Sequence, residues 1–576
     1  MVAIQLDCRH PQRHLVGVRL TVSPQRSCLR LQLPNWTPGS YLIRDYVRHL
    51  EGLEATQAGA PLTLRRLTPS SWQLVCDPDA GPLTLTYRVM ATELSVRTCH
   101  MDQQHAFLAL AAVVLELEGE RWSPHRLEML LPDGWEAFVP LPNDPRGGWI
   151  ARDFDQLVDS PVEAGPHRGL SFEVAGVPHR WVTWGACPGG EAWLLERFPS
   201  LLTDVQQVCL RCCQLMGVER PASGSYLFVL HLLDEGYGGL EHDDSTVLVY
   251  GRQRLEQPHG YRRLLQLVAH EYLHQWNVRR LRPAQLAPID YQQPTVVPSL
   301  WFAEGITSYV DQLLPLAAGV SDADGLLHDL GEDLSRYRLT PGRQVQSLRT
   351  SSQEAWVKLY KADAYAADSQ VSYYLKGAVV ALCLDLQLRR DGSCLPAVLQ
   401  ALWQSHGRWG RGYGEADLLQ AFTAHSPALA TLLPAWLDGL DDPDLDGYLF
   451  DVGLRLETEM ASTPWAGITP TCQDGSLVAQ RVWRDGPAEQ AGLMVDDELL
   501  ALDGQRVRQP AQWSAALRAG EAQSLLISRR AQLHTLTLQP QQPTVERYRL
   551  VRSETASVEQ RQAQERWLTL AAPLPC

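Results

Sequence analysis

The hydrophobic period of this chain changes twice along its length, and that limits its fold more than any other feature. Up to about residue 165, short alternating runs such as "LVGVRLTVS", "CLRLQLPNW", "SWQLVC", "LTLTYRVMA" and "RLEMLLPDGW" are separated by Pro, Gly and Asp turns. That is the period of strands with one buried face, and a succession of them predicts an antiparallel β-sandwich. From about 180, strand-like "HRWVTWG" and "SYLFVLHLL" mix with helix-like "FPSLLTDVQQVCLRCCQLMG" and "YRRLLQLVAHEYLHQWNVRRL", and from 299 to about 440 helical periodicity dominates. The acidic, turn-rich "LDGLDDPDLDGY" at 437–448 marks a boundary, beyond which a β-rich module runs to about 545. At 576 residues the chain exceeds what one hydrophobic core organises. The predicted fold is multidomain α+β. It has an N-terminal antiparallel β-sandwich over 1–165, an α+β then α-helical domain over 166–445, a β-rich module over 446–545, and a charged, Gln-rich tail without clear period over 546–576.

Composition excludes some functions. The hydrophobic (45%) and charged (20%) fractions are those of an ordinary globular protein. A net charge of -15 argues against nucleic-acid binding, which needs clustered Lys and Arg to neutralise phosphates. The opening "MVAIQLDCRHPQRHLVG" has no basic stretch followed by an apolar core, so no secretory signal is visible. No apolar run approaches the roughly 18–20 residues of a membrane span. Twelve cysteines are scattered, with Cys576 the last residue. Cys209 and Cys212 form a C-x-x-C in "CLRCC" with no partner pair, on a helix-like apolar stretch. Buried free thiols are expected there rather than a structural zinc site, and a reducing cytoplasm is the expected compartment.

"VAHEYLHQWNVRR" (268–280) sets His270 and His274 four apart. On an α-helix such residues lie about 40° from each other, so both rings project from one face and can meet one ion. Glu271, one residue along, lies beside the open coordination position, where it can take a proton from water. The plain alternative is a helix with two polar positions and a solvated Glu. Against it stands the apolar "LLQLVA" just before, because histidines buried in such a helix need partners. A third ligand is at hand in "SLWFAEGITSYVDQLL" (299–314), where Glu304 sits among Trp301, Phe302, Ile306 and Val310, poor company for an unpaired carboxylate. The intervening loop "PAQLAPIDYQQPTVVP" is long enough to return this second helix beside the first. Two His and one Glu with an open position is the catalytic zinc arrangement of thermolysin, so one zinc ion is the expected cofactor.

Two further stretches fit that chemistry. "YGGLEHDDSTVLVYG" (237–251) places Gly238 and Gly239 before Glu241 and a strand. A strand along a cleft can hydrogen-bond an extended peptide, and Glu241 at its head can bind a free ammonium group; alone, such a stretch is commonly just a turn. "SYYLKGAVV" (372–380) offers a tyrosine hydroxyl, from Tyr373 or Tyr374, to the oxyanion that forms when water attacks a peptide carbonyl, although a Tyr pair is commonly core packing.

H-E-Y-L-H-Q-W-N-V-R-R, W-F-A-E-G-I-T-S-Y, G-G-L-E-H and "PNWTPGSYLIRDYVRHL" (34–50) together resemble the glycyl aminopeptidase family of gluzincin metallopeptidases. The likeness runs from the N-terminal β domain through a thermolysin-like catalytic domain to a C-terminal PDZ domain. It implies His270, His274 and Glu304 as zinc ligands and Glu271 as general base. A broader likeness to other zinc aminopeptidases implies Glu241 as holder of the substrate α-amine, with His242 where those enzymes have Asn, and Tyr374 of Y-L-K-G as oxyanion donor. Gly238, Gly239 and Glu241 make up the expected substrate-binding set. Asp311, two turns beyond Glu304 on the same helix face, is expected to orient a ligand histidine. No physical role follows from sequence for Trp276, Asn277 or the "PNWTPGSYLIRDY" stretch.

"DGSLVAQRVWRDGPAEQAGLMVDDELLALDGQRV" (474–507) looks like a PDZ core, with a helix beginning at Pro487 and a hairpin around Asp503 and Gly504. "WAGI" at 465–468 resembles the loop that receives a peptide C-terminus, so a peptide or protein C-terminus is the expected partner there. The expected activity is that of a zinc aminopeptidase acting on peptides with a free N-terminus, and the resemblance implies a preference for Gly or Ala. Two other readings stay open: a zinc endopeptidase, and a PDZ-based adaptor with an inactive peptidase domain.

Overall fold

In the computed structural model, which describes residues 1–185 and 191–570, the alternating runs of the first domain build three sheets. The largest has seven strands, in the order Trp149–Ala151, His125–Leu130, Val2–Asp7, Leu15–Val22, Leu83–Met90, Leu50–Gln57 and Ala60–Leu62. Leu15–Val22 and Leu83–Met90 bury every second residue, the pattern expected of a sheet with one face in the core. Among the described residues of these three sheets, one pairing departs from the antiparallel expectation: Val2–Asp7 runs parallel to His125–Leu130. Two strands more than a hundred residues apart leave no local sign of their relative direction.

A five-stranded sheet follows, in the order Gly169–Val174, Val177–Trp184, Tyr226–Leu233, Ser245–Gly251 and Tyr237–Glu241. Its three middle strands are parallel and its two outer strands antiparallel. Tyr226–Leu233, at the centre, is apolar almost throughout because both its faces are covered. The helices Leu201–Leu215 and Gly260–Leu273 pack against each other, and Cys209, Cys212 and Cys213 of the first are buried and free. Burial raises the Cys209 and Cys212 thiols well above the ordinary range, so they behave as packing groups. The last six residues, Cys576 among them, lie outside the described residues.

The residues divide into two compact units, one of Met1–Val297, Val310–Asp322 and Pro396–Ala421, the other of Pro298–Tyr309, Ala323–Leu395 and the chain from Phe422 on. In the second unit the π-helical turn Trp301–Gly305 meets the helix Tyr373–Arg390. A methyl group on Gly305 would lie 2.5 Å from the Cα of Gly377, so the two backbones touch where both residues lack a side chain. The PDZ sheet follows the order Ile468–Gln473, Ser476–Val482, Glu498–Leu502, Gln523–Arg529 and Gln532–Leu538 around a core that includes Leu477, Leu499, Trp513 and Ile527. Asp503 and Gly504 both take positive φ, 49° and 75°, as a two-residue type I′ hairpin demands.

The segment after 545 is not featureless. Val545–Arg552 pairs antiparallel with Leu454–Met460, closing a two-stranded ribbon around the PDZ module, and Tyr548 N–H donates to Ser335 Oγ at 2.9 Å. A helix, Val558–Leu568, follows behind a Ser557–Gln560 capping box. Two charged residues fall on each face of Val545–Arg552, Arg547 and Arg549 on one and Glu546 and Arg552 on the other, so no apolar period marks it. Within this helix Trp567 is fully buried, and its Nε1–H donates to Tyr309 Oη at 2.7 Å, whose own hydroxyl donates to the buried Asp385 at 2.8 Å. No helix among the described residues is long and apolar enough to cross a membrane.

The glycine contact gives a direct expectation. Gly377→Ala, whose new methyl would lie 2.9 Å from the Gly305 Cα and 3.2 Å from the Trp301 carbonyl, should cost about 1–3 kcal/mol through overpacking. Thermal unfolding followed by circular dichroism should show a lower midpoint, while Gly224→Ala, which meets nothing within 4 Å, should leave it in place.

Candidate active site

His270 falls in the last turn of the helix Gly260–Leu273, and His274 caps its C-terminal end in helical geometry. The two rings stand 4.6 Å apart between centroids, nearly perpendicular at 85°. His270 Nδ1 is 2.7 Å from Asp311 Oδ2, and His274 Nδ1 is 2.6 Å from the Asn277 carbonyl oxygen. A carboxylate and a carbonyl can only accept, so each Nδ1 carries a proton, and each ring in its neutral form presents the Nε2 lone pair. Two imidazoles on one helix face, each anchored through Nδ1, form a donor set that fits a zinc-class cation. Glu271 is buried between them in sequence but turned toward the edge strand Tyr237–Glu241. A methyl on Gly239 would lie 2.3 Å from the Glu271 Cδ and Oε1, so the carboxylate occupies the space that any side chain at 239 would fill.

Tyr237–Glu241 ends the five-stranded sheet, with only Ser245–Gly251 beside it. Gly238 has no heavy atom within 4 Å of where a side chain would begin, and the neighbouring Gly239 carbonyl accepts from Arg97 Nη2 at 3.5 Å. Glu241, Glu271 and His274 each bring one potential ligand atom within 4.8 Å of the others. Glu241 is 4% exposed and its Oε1 has no hydrogen-bond partner among the described residues, an expensive state for a carboxylate oxygen unless a ligand supplies the donor. Next to it, His242 turns Nδ1 to Asp159 Oδ1 at 3.1 Å.

In the second unit Glu304 is 2% exposed, on the π-helical turn that opens the helix Ile306–Ala317. Asp311 lies on that same helix, two turns further along. Ser372 caps the helix Tyr373–Arg390, and the two tyrosines that follow separate cleanly. Tyr373 is fully buried, whereas the Tyr374 hydroxyl lies 3.3 Å from that of Tyr360. Burial first, and then the negative charge of Glu304, raise the Tyr374 hydroxyl well above the usual phenol range, which keeps it protonated and able to donate. The Gly305–Gly377 contact explains this proximity: Gly305 lies next to Glu304, and Gly377 lies within one turn of Tyr374.

Three family matches cover much of the chain: the Peptidase M61 N-terminal domain over residues 3–166, the M61 glycyl aminopeptidase over 263–380, and a PDZ domain over 480–530. A crystal structure of an aminopeptidase N family protein from Idiomarina loihiensis is 30% identical, with 99% of this chain and 100% of that chain covered and a TM-score of 0.90. The chain belongs to the M61 glycyl aminopeptidase family. It is a peptide hydrolase, a metallo-aminopeptidase with a PDZ domain. More distant likenesses include an M1 zinc metallopeptidase of Deinococcus radiodurans (15% identity, 77% of this chain and 94% of that chain, TM-score 0.48). Another is the leukotriene A4 hydrolase of Saccharomyces cerevisiae (11% identity, 78% and 70%, TM-score 0.47). No curated protein matches.

The peptidase also brings to its centre residues to which the sequence assigns no role. Gly39, in "PNWTPGSYLIRDY", takes φ +83°, and a methyl there would lie 2.6 Å from both Glu241 carboxylate oxygens. The N-terminal domain thus closes over Glu241 with backbone. Behind Glu241, Arg279 is buried and pairs with Asp159 at 2.8 Å and Asp243 at 2.9 Å. Burial works against its charge, but Asp159, Asp243 and Glu241 outweigh it and hold the guanidinium protonated. The adjacent arginines of "NVRR", on a segment otherwise buried, are the one sequence sign of this network. Asn277 contributes its main-chain carbonyl, a role no side chain announces.

Removing the carboxylate that anchors His270 should weaken metal binding by about 10–100-fold. For Asp311→Ala, the chelator concentration that halves peptidase activity should fall by that factor, and an unchanged value would remove Asp311 from the support of His270.

Proposed function

We propose that the protein is a zinc aminopeptidase that removes N-terminal residues, small ones (Gly, Ala) preferred, with one catalytic zinc ion held by His270, His274 and Glu304. The observation that carries this reading is the pair of Nδ1 commitments, to Asp311 and to the Asn277 carbonyl, which fixes both imidazoles in the ligating tautomer. Zinc bound there supplies Lewis acidity, polarising a carbonyl and lowering the pKa of water to about 7.

The chain's own residues do the rest. The backbone of Gly238 and Gly239 pairs with an extended substrate along the edge strand. Glu241 takes the substrate ammonium group with the oxygen that the protein leaves without a donor. Glu271, held against Gly239, accepts a proton from the attacking water and passes it to the departing amine. Tyr374 donates its hydroxyl proton in a hydrogen bond to the oxyanion as it develops. The family's description as a glycyl aminopeptidase supports the small-residue preference. Ile468–Gln473, the terminal strand of the PDZ sheet, is the edge on which a peptide or protein C-terminus would add. The described cysteines are all free, which supports a reducing, cytoplasmic setting.

Glu271→Gln should keep the metal content of the parent while kcat falls by about 10²–10⁴-fold; undiminished turnover would dismiss Glu271 as the base. Peptides with a free amine should be cut and their N-acetylated forms spared, and Glu241→Ala should raise KM for the free peptides. Cleavage of both forms at equal rates would instead mark an endopeptidase, and cleavage of neither an inactive adaptor.

A further inference from the structure

We propose a second cation site in this chain, on the hairpin that joins Cys99–Met101 to Ala106–Leu108, held by His100, Asp102 and His105 and suited to a zinc-class divalent ion. The three residues each offer one ligand atom within 4.8 Å of the others. His100 Nε2 and Asp102 Oδ2 are 3.2 Å apart, close to the separation of about 3.3 Å between two ligands of a tetrahedral ion with 2.0–2.1 Å bonds. The two imidazole centroids lie 5.1 Å apart.

His105 is what distinguishes this cluster from an ordinary surface ion pair. It is fully buried, and its Nδ1 is engaged by Glu163 Oε1 at 3.0 Å. Its Nε2 is buried with no hydrogen-bond partner among the described residues. A carboxylate that holds one ring nitrogen fixes the tautomer and turns the other into a lone-pair donor, the arrangement typical of metal-ligating histidines and the one seen between Asp311 and His270. Glu163 is itself locked: it is fully buried, with His231 Nε2 2.8 Å from its other oxygen. Trp184 stacks on the His105 ring at 3.6 Å, so the ring is held from two sides.

The other two groups supply access. The side chains of His100 and Asp102 are 18% and 30% exposed, so an ion can reach the site from solvent. Asp102 keeps one oxygen, Oδ1, on the backbone N–H groups of Gln104 and His105, at 2.8 and 3.1 Å, which pins the hairpin turn and leaves Oδ2 toward His100. Two imidazoles and one carboxylate favour zinc, or another late first-row ion, over calcium or magnesium, and three protein ligands leave a fourth position for water. The spacing H-x-D-x-x-H over 100–105 is the sequence trace of the site.

The test is metal stoichiometry. Untagged protein, stripped with chelator and titrated with zinc against a chromophoric competitor, should bind one more equivalent than the His100→Ala variant, while kcat/KM on an aminoacyl reporter stays the same. The difference is one ion whatever the peptidase centre holds, so failure here and failure of the zinc reading there are told apart. Equal stoichiometry in the two proteins would overturn the proposal. Should the variant fold poorly, the wild-type chain decides alone. Stoichiometric zinc should protect His100 from diethyl pyrocarbonate as read by peptide mass spectrometry, and equal modification with and without zinc would overturn the site.

Discussion

Two hydrogen bonds from imidazole Nδ1 atoms, one to the Asp311 carboxylate and one to the Asn277 carbonyl, set the chemistry of everything around them. An imidazole can ligate through either nitrogen, and an unanchored ring rotates and exchanges tautomers. Here each ring is fixed before any ion arrives. The anchors come from different sources: Asp311 from a second helix, the Asn277 carbonyl from the turn that ends the histidine helix itself. His274 is thus held by local geometry, whereas His270 depends on the placement of another element. The His274 ring is as rigid as the helix end that carries it, and the His270 ring as rigid as the packing that holds Asp311.

Much of the fold is legible in the chain because apolar period follows burial. Alternation marks the strands of the N-terminal domain and of the PDZ module, and the 3.6-residue period marks the helices that carry the histidines and Tyr374. The parallel pairing of Val2–Asp7 with His125–Leu130 is not legible, since strand direction is decided by contacts far apart in sequence. Nor is the strand Val545–Arg552, whose charged faces hide its period. At the site, the His-x-x-x-His spacing and the lone Glu304 stand out because few structural needs put such groups in apolar surroundings. The support does not stand out. A main-chain carbonyl leaves no mark at Asn277, and Gly39 is legible only as a glycine, with nothing to say that Glu241 is what lies against it. Arg279 looks like a surface charge until its two aspartate partners, from distant segments, are seen.

Close approach of backbones recurs wherever a carboxylate or a tyrosine must be delivered. Gly39 lies against Glu241, Gly239 against Glu271, and Gly305 against Gly377 between Glu304 and Tyr374. In each case a missing side chain makes room that a neighbouring functional group or helix then fills. Such positions resist substitution for reasons of volume, even though none takes part in bond making. G-G-L-E-H and W-F-A-E-G, and likewise Y-L-K-G, each set a Glu or Tyr within a few residues of a glycine at a close approach.

The ribbon of Leu454–Met460 and Val545–Arg552 has a topological meaning of its own. The chain leaves the helical region along one strand and returns along its neighbour, and the PDZ module between them is also tied back by Arg481, 2.8 Å from the buried Asp368. What comes back is not a dangling end, because Trp567 then inserts beneath Tyr309. The module is therefore an insertion and not an appendage. Cutting the chain anywhere past the ribbon would strip Trp567 from beneath Tyr309 of the helix Ile306–Ala317.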